Sequence, residues 1–265
     1  MRYFLKLSYD GSPFHGWQRQ PNALSVQQTL EEALQTMLRH PVSLTGAGRT
    51  DTGVNARMMY AHFDVEDPLW SGEESLQARG RILASLRKLC GPAIAVEEII
   101  PVADTLHARF DALSRTYKYF IAFKYSPFLR SESWWSPSGL DVDMMQAGAE
   151  RLLSVSDFTS FAKLHSDAKT NICRLMAARW DEWCNDFGVP GLVFTIKADR
   201  FLRNMVRAVV GTLVDMGRGK ISLEKLDEII ERKDRCAAGT SMPAQALYLW
   251  DIEYPQGSFN QKIID

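Results

Sequence analysis

The sequence predicts an α+β protein in which one order of elements, strand, helix, strand, strand, helix, strand, occurs twice. Each copy reads as a split-βαβ unit, an antiparallel sheet with helices on one face. Two observations predict it. Segments with apolar residues at alternate positions trade places, in that order, with segments of helical period. Stretches rich in Gly, Pro, Asn and Asp, the turn-forming residues, stand between them. The copies share no visible sequence similarity, so the duplication is one of topology.

In the first half, residues 3–9 alternate as a half-buried strand, and a Gly/Pro-rich loop follows over 10–24. Ser25 stands three residues before Gln28, the spacing of a capping box, ahead of Leu30, Ala33, Leu34, Met37 and Leu38 on one helix stripe. Short strands are expected at 42–44 and 58–65, then an acidic surface connection over 64–74. A helix runs through Leu76, Ile82, Leu83, Leu86 and Leu89, and a strand over 93–102. The seam falls at 105–112, giving halves 1–106 and 107–265.

The second half opens with a strand at 114–123 and a helix at 142–153. Strands at 172–184 and 191–198 form a hairpin through Asn185, Asp186 and Gly188. Helices at 201–216 and 223–230 and a strand at 246–254 complete it, with a frayed tail from 256. Sheets of this RRM- or ferredoxin-like kind leave one face for an extended ligand. RNA-binding proteins use that face, and so do many unrelated enzymes, so topology alone assigns no function.

Composition bounds the function. The 265 residues are 46% hydrophobic, 24% charged and 11% aromatic, which fits globular protein and excludes disorder. Lys plus Arg is 31 against 32 for Asp plus Glu, so any positive surface for a nucleic acid must be local. No apolar run approaches the roughly 20 residues of a membrane helix. The opening MRYFLKLSYDG lacks a signal-peptide core, so the cytoplasm is the expected address. Cys90, Cys173, Cys184 and Cys236 form no C-x-x-C pair and are expected to be reduced and buried. His15, His40, His62, His107 and His165 lack metal-ligand spacing, and no P-loop, G-x-S-x-G or H-E-x-x-H occurs. No metal or nucleotide cofactor is expected.

Three stretches carry chemistry. In Gly46-Ala47-Gly48-Arg49-Thr50-Asp51-Thr52-Gly53-Val54, three glycines permit positive φ and close backbone approach around a charged pair. An exposed Asp of ordinary pKa, roughly 3.9, is ionised at neutral pH and can serve as nucleophile or base. The alternative is a surface turn with an ion pair of little worth. His107-Ala108-Arg109-Phe110 and Ser114-Arg115-Thr116-Tyr117-Lys118-Tyr119 interleave bases and aromatics, as a base-stacking platform does; Tyr117 and Tyr119 share one strand face. An amphipathic strand would look the same. In the segment 201–211, Arg203 and Arg207 fall four apart on one helix face. Arg207, among valines, needs an anionic partner or snorkels from the core margin.

These residues resemble the tRNA pseudouridine synthase A family over nearly the whole chain. Gly48-Arg49-Thr50-Asp51-x-Gly53-Val54 is similar to its active-site motif. Tyr9-Asp10-Gly11, Phe14-x-Gly16-Trp17-Gln18-Arg19-Gln20 and Ser25-Val26-Gln27 resemble its opening loop and first helix. His107-Ala108-Arg109-Phe110, Arg115-x-Tyr117-x-Tyr119, Asp157-Phe158-Thr159-Ser160-Phe161, Phe201-Leu202-Arg203-x-Met205-Val206-Arg207 and Pro243-Ala244-x-x-Leu247-Tyr248-Leu249 follow in family order. Thr52, Asn55 and Ala246 depart from the usual Ala, His and Gly.

The resemblance implies conversion of uridine to pseudouridine at positions 38, 39 and 40 of the tRNA anticodon stem-loop. It implies two halves joined around a central cleft, a homodimer gripping one tRNA, and no cofactor; neither DNA nor a membrane is an expected partner. By the same resemblance Asp51 is the catalytic carboxylate, Tyr117 packs on the target base, and Arg207 pairs with the carboxylate. Arg49 fills the gap left by the flipped base. An unshifted tyrosine, with pKa roughly 10, is neutral at pH 7, so stacking suits Tyr117 better than proton removal. Charge runs then predict a basic surface near Asp51, drawn from 107–130 and 163–179, and an acidic outer face at 64–74. Modification of another RNA and a non-catalytic RNA-binding role are the competing readings.

Overall fold

The computed structural model describes residues 1–66, 74–137, 139–164 and 169–259. The expected acidic connection falls largely outside the described residues, at 67–73, as do Asp167, His165 and the tail from 260. The chain forms two compact units: Met1–Leu113 with Asp251–Asp265, and Ser114–Trp250.

The first unit runs β1 (Arg2–Tyr9), α1 (Val26–Leu38), β2 (Thr45–Gly46), β3 (Asn55–Asp64), α2 (Glu74–Leu89) and β4 (Ile94–Val102). Its strands lie side by side as β4-β1-β3-β2, each pair antiparallel. Tyr3, Leu5 and Leu7 of β1 and Met59 and Phe63 of β3 alternate onto one buried face of the sheet, Phe4 is buried on the other against Tyr60 and His62, and α1 contributes its buried stripe of Val26, Leu30, Ala33 and Leu34. Fully burying each such side chain is worth about 1.5–3 kcal/mol. Ser25 caps α1, its Oγ accepting the Gln28 N–H at 3.2 Å. The Gln28 amide turns to Glu32 instead of closing a reciprocal box.

The short strand expected at 42–44 lies at Thr45–Gly46 instead. The reason is long-range: the Leu44 N–H donates to the buried Glu31 carboxylate at 3.0 Å, and the Leu44 carbonyl accepts from Gln27 at 2.9 Å. With both main-chain groups taken by α1 side chains, pairing with β3 begins one residue later. On α2, Ile82 and Leu86 are buried while Leu89 is exposed and Cys90 takes the inward place.

The second unit contains β5 (Ser114–Ala122), β6 (Trp134–Trp135), α3 (Val142–Leu152), β7 (Leu175–Cys184), β8 (Pro190–Ala198), α4 (Met205–Gly217) and α5 (Leu223–Arg232). The final strand, β9 (Leu247–Glu253), belongs to this unit through Trp250 and to the first from Asp251. The neighbour order is β9-β5-β8-β7, with β5/β8 and β8/β7 antiparallel. The β7–β8 turn is built as its residues predict: Asn185 Oδ1 accepts from the Phe187 and Val189 amides, and Gly188 has φ 70°. Two-residue β6, parallel to the end of β5, has no sequence signal beyond adjacent tryptophans.

The helix expected over 201–216 begins at Met205. Asn204 sits in the left-handed region at φ 64°, and its Nδ2 donates to Ser241 Oγ at 2.6 Å. The Lys163 amide takes the Arg203 carbonyl at 3.0 Å, so 201–204 forms a turn held by neighbours and not helix. From Met205 on, α4 is buried nearly all round, as its unbroken apolar sequence requires.

Candidate active site

The first unit carries Arg49 and Asp51 in the loop between β2 and β3. The loop is fastened at every second or third residue. The Ala47 amide donates to the Tyr60 carbonyl at 2.8 Å, and the Thr50 carbonyl accepts from the Trp17 amide at 3.2 Å. The Thr50 hydroxyl shares a buried 2.8 Å hydrogen bond with the Tyr9 hydroxyl, and the Gly53 amide donates to the Phe14 carbonyl at 3.3 Å. A turn then closes from the Asp51 carbonyl to the Val54 amide at 3.1 Å. Gly53 occupies its third position at φ 75°, the left-handed slot that glycine fills without strain. A Cβ on Gly46 would strike the Trp17 ring at 2.5 Å, while Gly48 faces open space. Two of the three glycines are therefore required by the backbone or by packing.

Burial alternates along the motif: Arg49 exposed, Thr50 buried, Asp51 half-buried, Thr52 exposed. Thr50 is the anchor, and its neighbours are the charged residues it presents. Asn55, four residues beyond Asp51, is buried and its Oδ1 accepts the Gly11 amide at 2.8 Å. That bond ties the opening loop to the root of β3.

The second unit carries Tyr117 and Arg207. Tyr117 lies on β5 opposite Ile196 of β8, 7% exposed, with Phe201 edge-on to its ring at 5.1 Å. The burial pattern of β5 places Tyr117 and Tyr119 inward, as the alternation predicts. Tyr119 is fully buried and donates to the Pro243 carbonyl at 3.2 Å; burial pushes its phenol far above the usual tyrosine range. Arg207 is half-buried in the first turn of α4, its Nε donating to the Met242 carbonyl. Its own carbonyl accepts the Met242 amide at 3.1 Å. The strip at 242–243 thus holds Arg207 and Tyr119 together, an anchor that sequence spacing could not reveal. Arg203 is exposed and precedes the helix, so it shares no helical face with Arg207.

The expected basic surface is partly spent on structure. Arg115 donates to the Asp199 carbonyl at 2.9 Å, the Lys118 ammonium lies 4.4 Å above the Trp250 ring, and Arg179 pairs with Asp181 at 2.9 Å. Arg109, Lys124, Arg130, Lys163, Lys169 and Arg174 are exposed. Of the cysteines, Cys90 and Cys173 are buried, their thiols pushed up to about 11 by burial, whereas Cys184 and Cys236 are exposed, contrary to expectation. Among the described residues no cluster of three His, Cys, Asp or Glu could hold a metal ion, and no helix is long and apolar enough to cross a membrane.

Comparison with known proteins decides the family. A family model described as tRNA pseudouridine synthase matches residues 149–255. The chain is 48% identical over 262 residues to the tRNA pseudouridine synthase A of Parabacteroides distasonis, covering 97% of this chain and 98% of that protein. The chain belongs to the tRNA pseudouridine synthase A family. The enzyme of the same name from Bacteroides thetaiotaomicron is 47% identical, covering 98% of this chain and 93% of that one. That from Bacteroides fragilis is 48% identical, covering 97% and 98%. Pseudouridine synthases are isomerases, and this chain is one of them. Within this pseudouridine synthase the family-model match runs from α3 to the end of β9 and includes Arg207; the full-length relatives extend the likeness across both units.

Proposed function

We propose that the chain converts uridine to pseudouridine at positions 38, 39 and 40 of the tRNA anticodon stem-loop, as a cytoplasmic homodimer without a cofactor. The full-length likeness to enzymes named tRNA pseudouridine synthase A supports the substrate class. The observation that carries the chemistry is the Asp51 loop, a short connection fixed by Thr50, Tyr9, Trp17 and Phe14 that presents one carboxylate beside one exposed arginine. In this reading the halves are RRM/ferredoxin-like split-βαβ units joined around a central cleft with their helices outermost. The antiparallel order within the first unit and the matching neighbour order in the second support the first part.

The uridine C1′ is inaccessible inside a stacked stem, so the nucleotide flips out at a cost of a few kcal/mol. Arg49 occupies the space it leaves and Tyr117 packs on the extruded base. The Asp51 carboxylate attacks C1′ or removes the 2′ proton; either way the glycosidic C1′–N1 bond breaks. The base turns and rejoins through C5 as the Asp51–C1′ bond breaks or, on the second route, as Asp51 returns the 2′ proton; the C5 proton leaves to solvent and the carboxylate is regenerated. Arg207, paired with Asp51, keeps the carboxylate charged and aimed through a bidentate fork. The reading requires the loop of the first unit and Tyr117 and Arg207 of the second to serve one uridine.

The test is pseudouridine mapping in unmodified tRNA transcripts treated with the enzyme. Pseudouridine confined to 38–40, and absent when those uridines are replaced, supports the assignment. Modification elsewhere in tRNA, or only in another RNA, overturns it.

A further inference from the structure

The turn after β4, His107 to Asp111, has its main-chain groups fastened with unusual completeness. The His107 amide donates to the Asp111 carboxylate at 2.7 Å, and the Asp111 amide returns to the His107 carbonyl at 3.1 Å. The amides of Arg109 and Phe110 both donate to His107 Nδ1, at 3.1 and 3.2 Å. The Ala108 amide donates to Nδ1 of buried His62 at 3.1 Å, and the Ala108 carbonyl accepts from the Tyr254 hydroxyl at 2.6 Å. Both imidazoles accept at Nδ1 and are therefore neutral.

What this framework holds out to solvent is an aromatic ring. Phe110 is 75% exposed, the most exposed large apolar side chain described in either unit. Single exposed apolar residues are common and ordinarily need no explanation. This one differs in being fixed: its ring lies 4.3 Å from the His107 ring at 30°, His107 lies 4.7 Å from His62, and the Arg109 guanidinium is 5.9 Å from the Phe110 centroid. A backed, rigid ring loses little side-chain freedom when a flat partner settles on it. With a cation beside it, it matches an unpaired base and its phosphate: every base has a π-face, and the arginine takes the charge.

We propose that Phe110 is a stacking site for an unpaired nucleobase of the RNA substrate, with Arg109 serving the adjoining phosphate and His107 as the positioning residue beneath. The proposal rests on the reading of the chain as a tRNA-modifying enzyme and adds a contact away from the reacting uridine. The exposed ring makes substitution safe for folding. In steady-state assays on tRNA transcripts, Phe110→Leu raises KM roughly 5- to 150-fold and leaves kcat within about twofold, while Phe110→Tyr stays near wild type. His107→Ala reproduces part of the rise, and His107→Asn, whose Oδ1 can accept the same amides, recovers it. Wild-type KM in Phe110→Leu, or equal loss in the leucine and tyrosine variants, overturns the proposal. So does a change of oligomeric state by sedimentation in Phe110→Leu, which would assign the ring to a protein contact. These outcomes leave an active wild type standing; a wild type that neither binds nor modifies tRNA removes the underlying reading as well.

Discussion

The segments that carry Asp51 and Arg207 are built in opposite ways. Asp51 stands in an eight-residue loop between two strands, where one buried threonine and a left-handed glycine lift a carboxylate toward solvent. Arg207 stands in the first turn of an otherwise buried helix, half-submerged and gripped by a main-chain carbonyl. The loop fixes its charge through many weak ties to residues 9–17. The helix fixes its charge by surrounding it with core. Loss of one tie in the loop should shift the carboxylate with modest cost to the fold, whereas truncation in the helix should damage site and stability together.

Arg207→Leu tests the second half of that contrast and has the largest expected effect. Activity should fall by at least about 100-fold, as for removal of a transition-state electrostatic partner. The Met242 carbonyl loses its donor, so denaturant unfolding should show a loss of about 1–3 kcal/mol. Turnover at the wild-type rate would break the assignment of Arg207 to the reaction.

Mild acid, from pH 7 to 4, supplies a probe of the first unit. His62 is buried on β3, and burial, with the Arg2 charge next, lowers its pKa to about 4, Asp64 opposing. Its folded value lies below its unfolded one. Its contribution is therefore complete above about pH 6.5 and is lost as pH falls toward 4, on the order of 2–3 kcal/mol in all. Asp64, held down by its bond to Arg2, and Asp157, held down by Thr159 and Lys233, add their losses only below about pH 4. Denaturation midpoints from pH 7 to 4 should slope downward, and His62→Asn should flatten the slope. An unchanged slope in the variant would detach the effect from His62.

Thr50→Val sharpens the first half. It removes the hydroxyl bonded to Tyr9 and costs about 1–2 kcal/mol of stability. Under the proposed mechanism, in which the tie aims Asp51 and does not hold RNA, kcat should fall more than KM rises. Tyr9→Phe should add little on top of it, since both remove the same bond. Full additivity would show that the two hydroxyls act separately.

The contrast also explains what could be read from the chain alone. The loop was legible because its requirements are local: glycine where φ is positive, small residues where Trp17 approaches, charges flanking an inward threonine. Strand alternation in β5 and the Asn185–Gly188 turn were legible for the same reason. The start of α4 was not, because Asn204 adopts its left-handed turn through Ser241 and Lys163 meets Arg203 from far along the chain. Nor was β2, displaced by Glu31 and Gln27, or the Met242 carbonyl that receives Arg207. Each miss is a side chain satisfying a main-chain group many residues away, which periodicity does not encode.

The most direct test of the central claim uses tRNA transcripts tritiated at uridine C5, offered to wild type and Asp51→Asn, with RNA binding measured on the same samples. Tritium release by wild type and none by Asp51→Asn, at comparable binding, is the predicted result. Release that persists in Asp51→Asn would show that another group attacks the nucleotide.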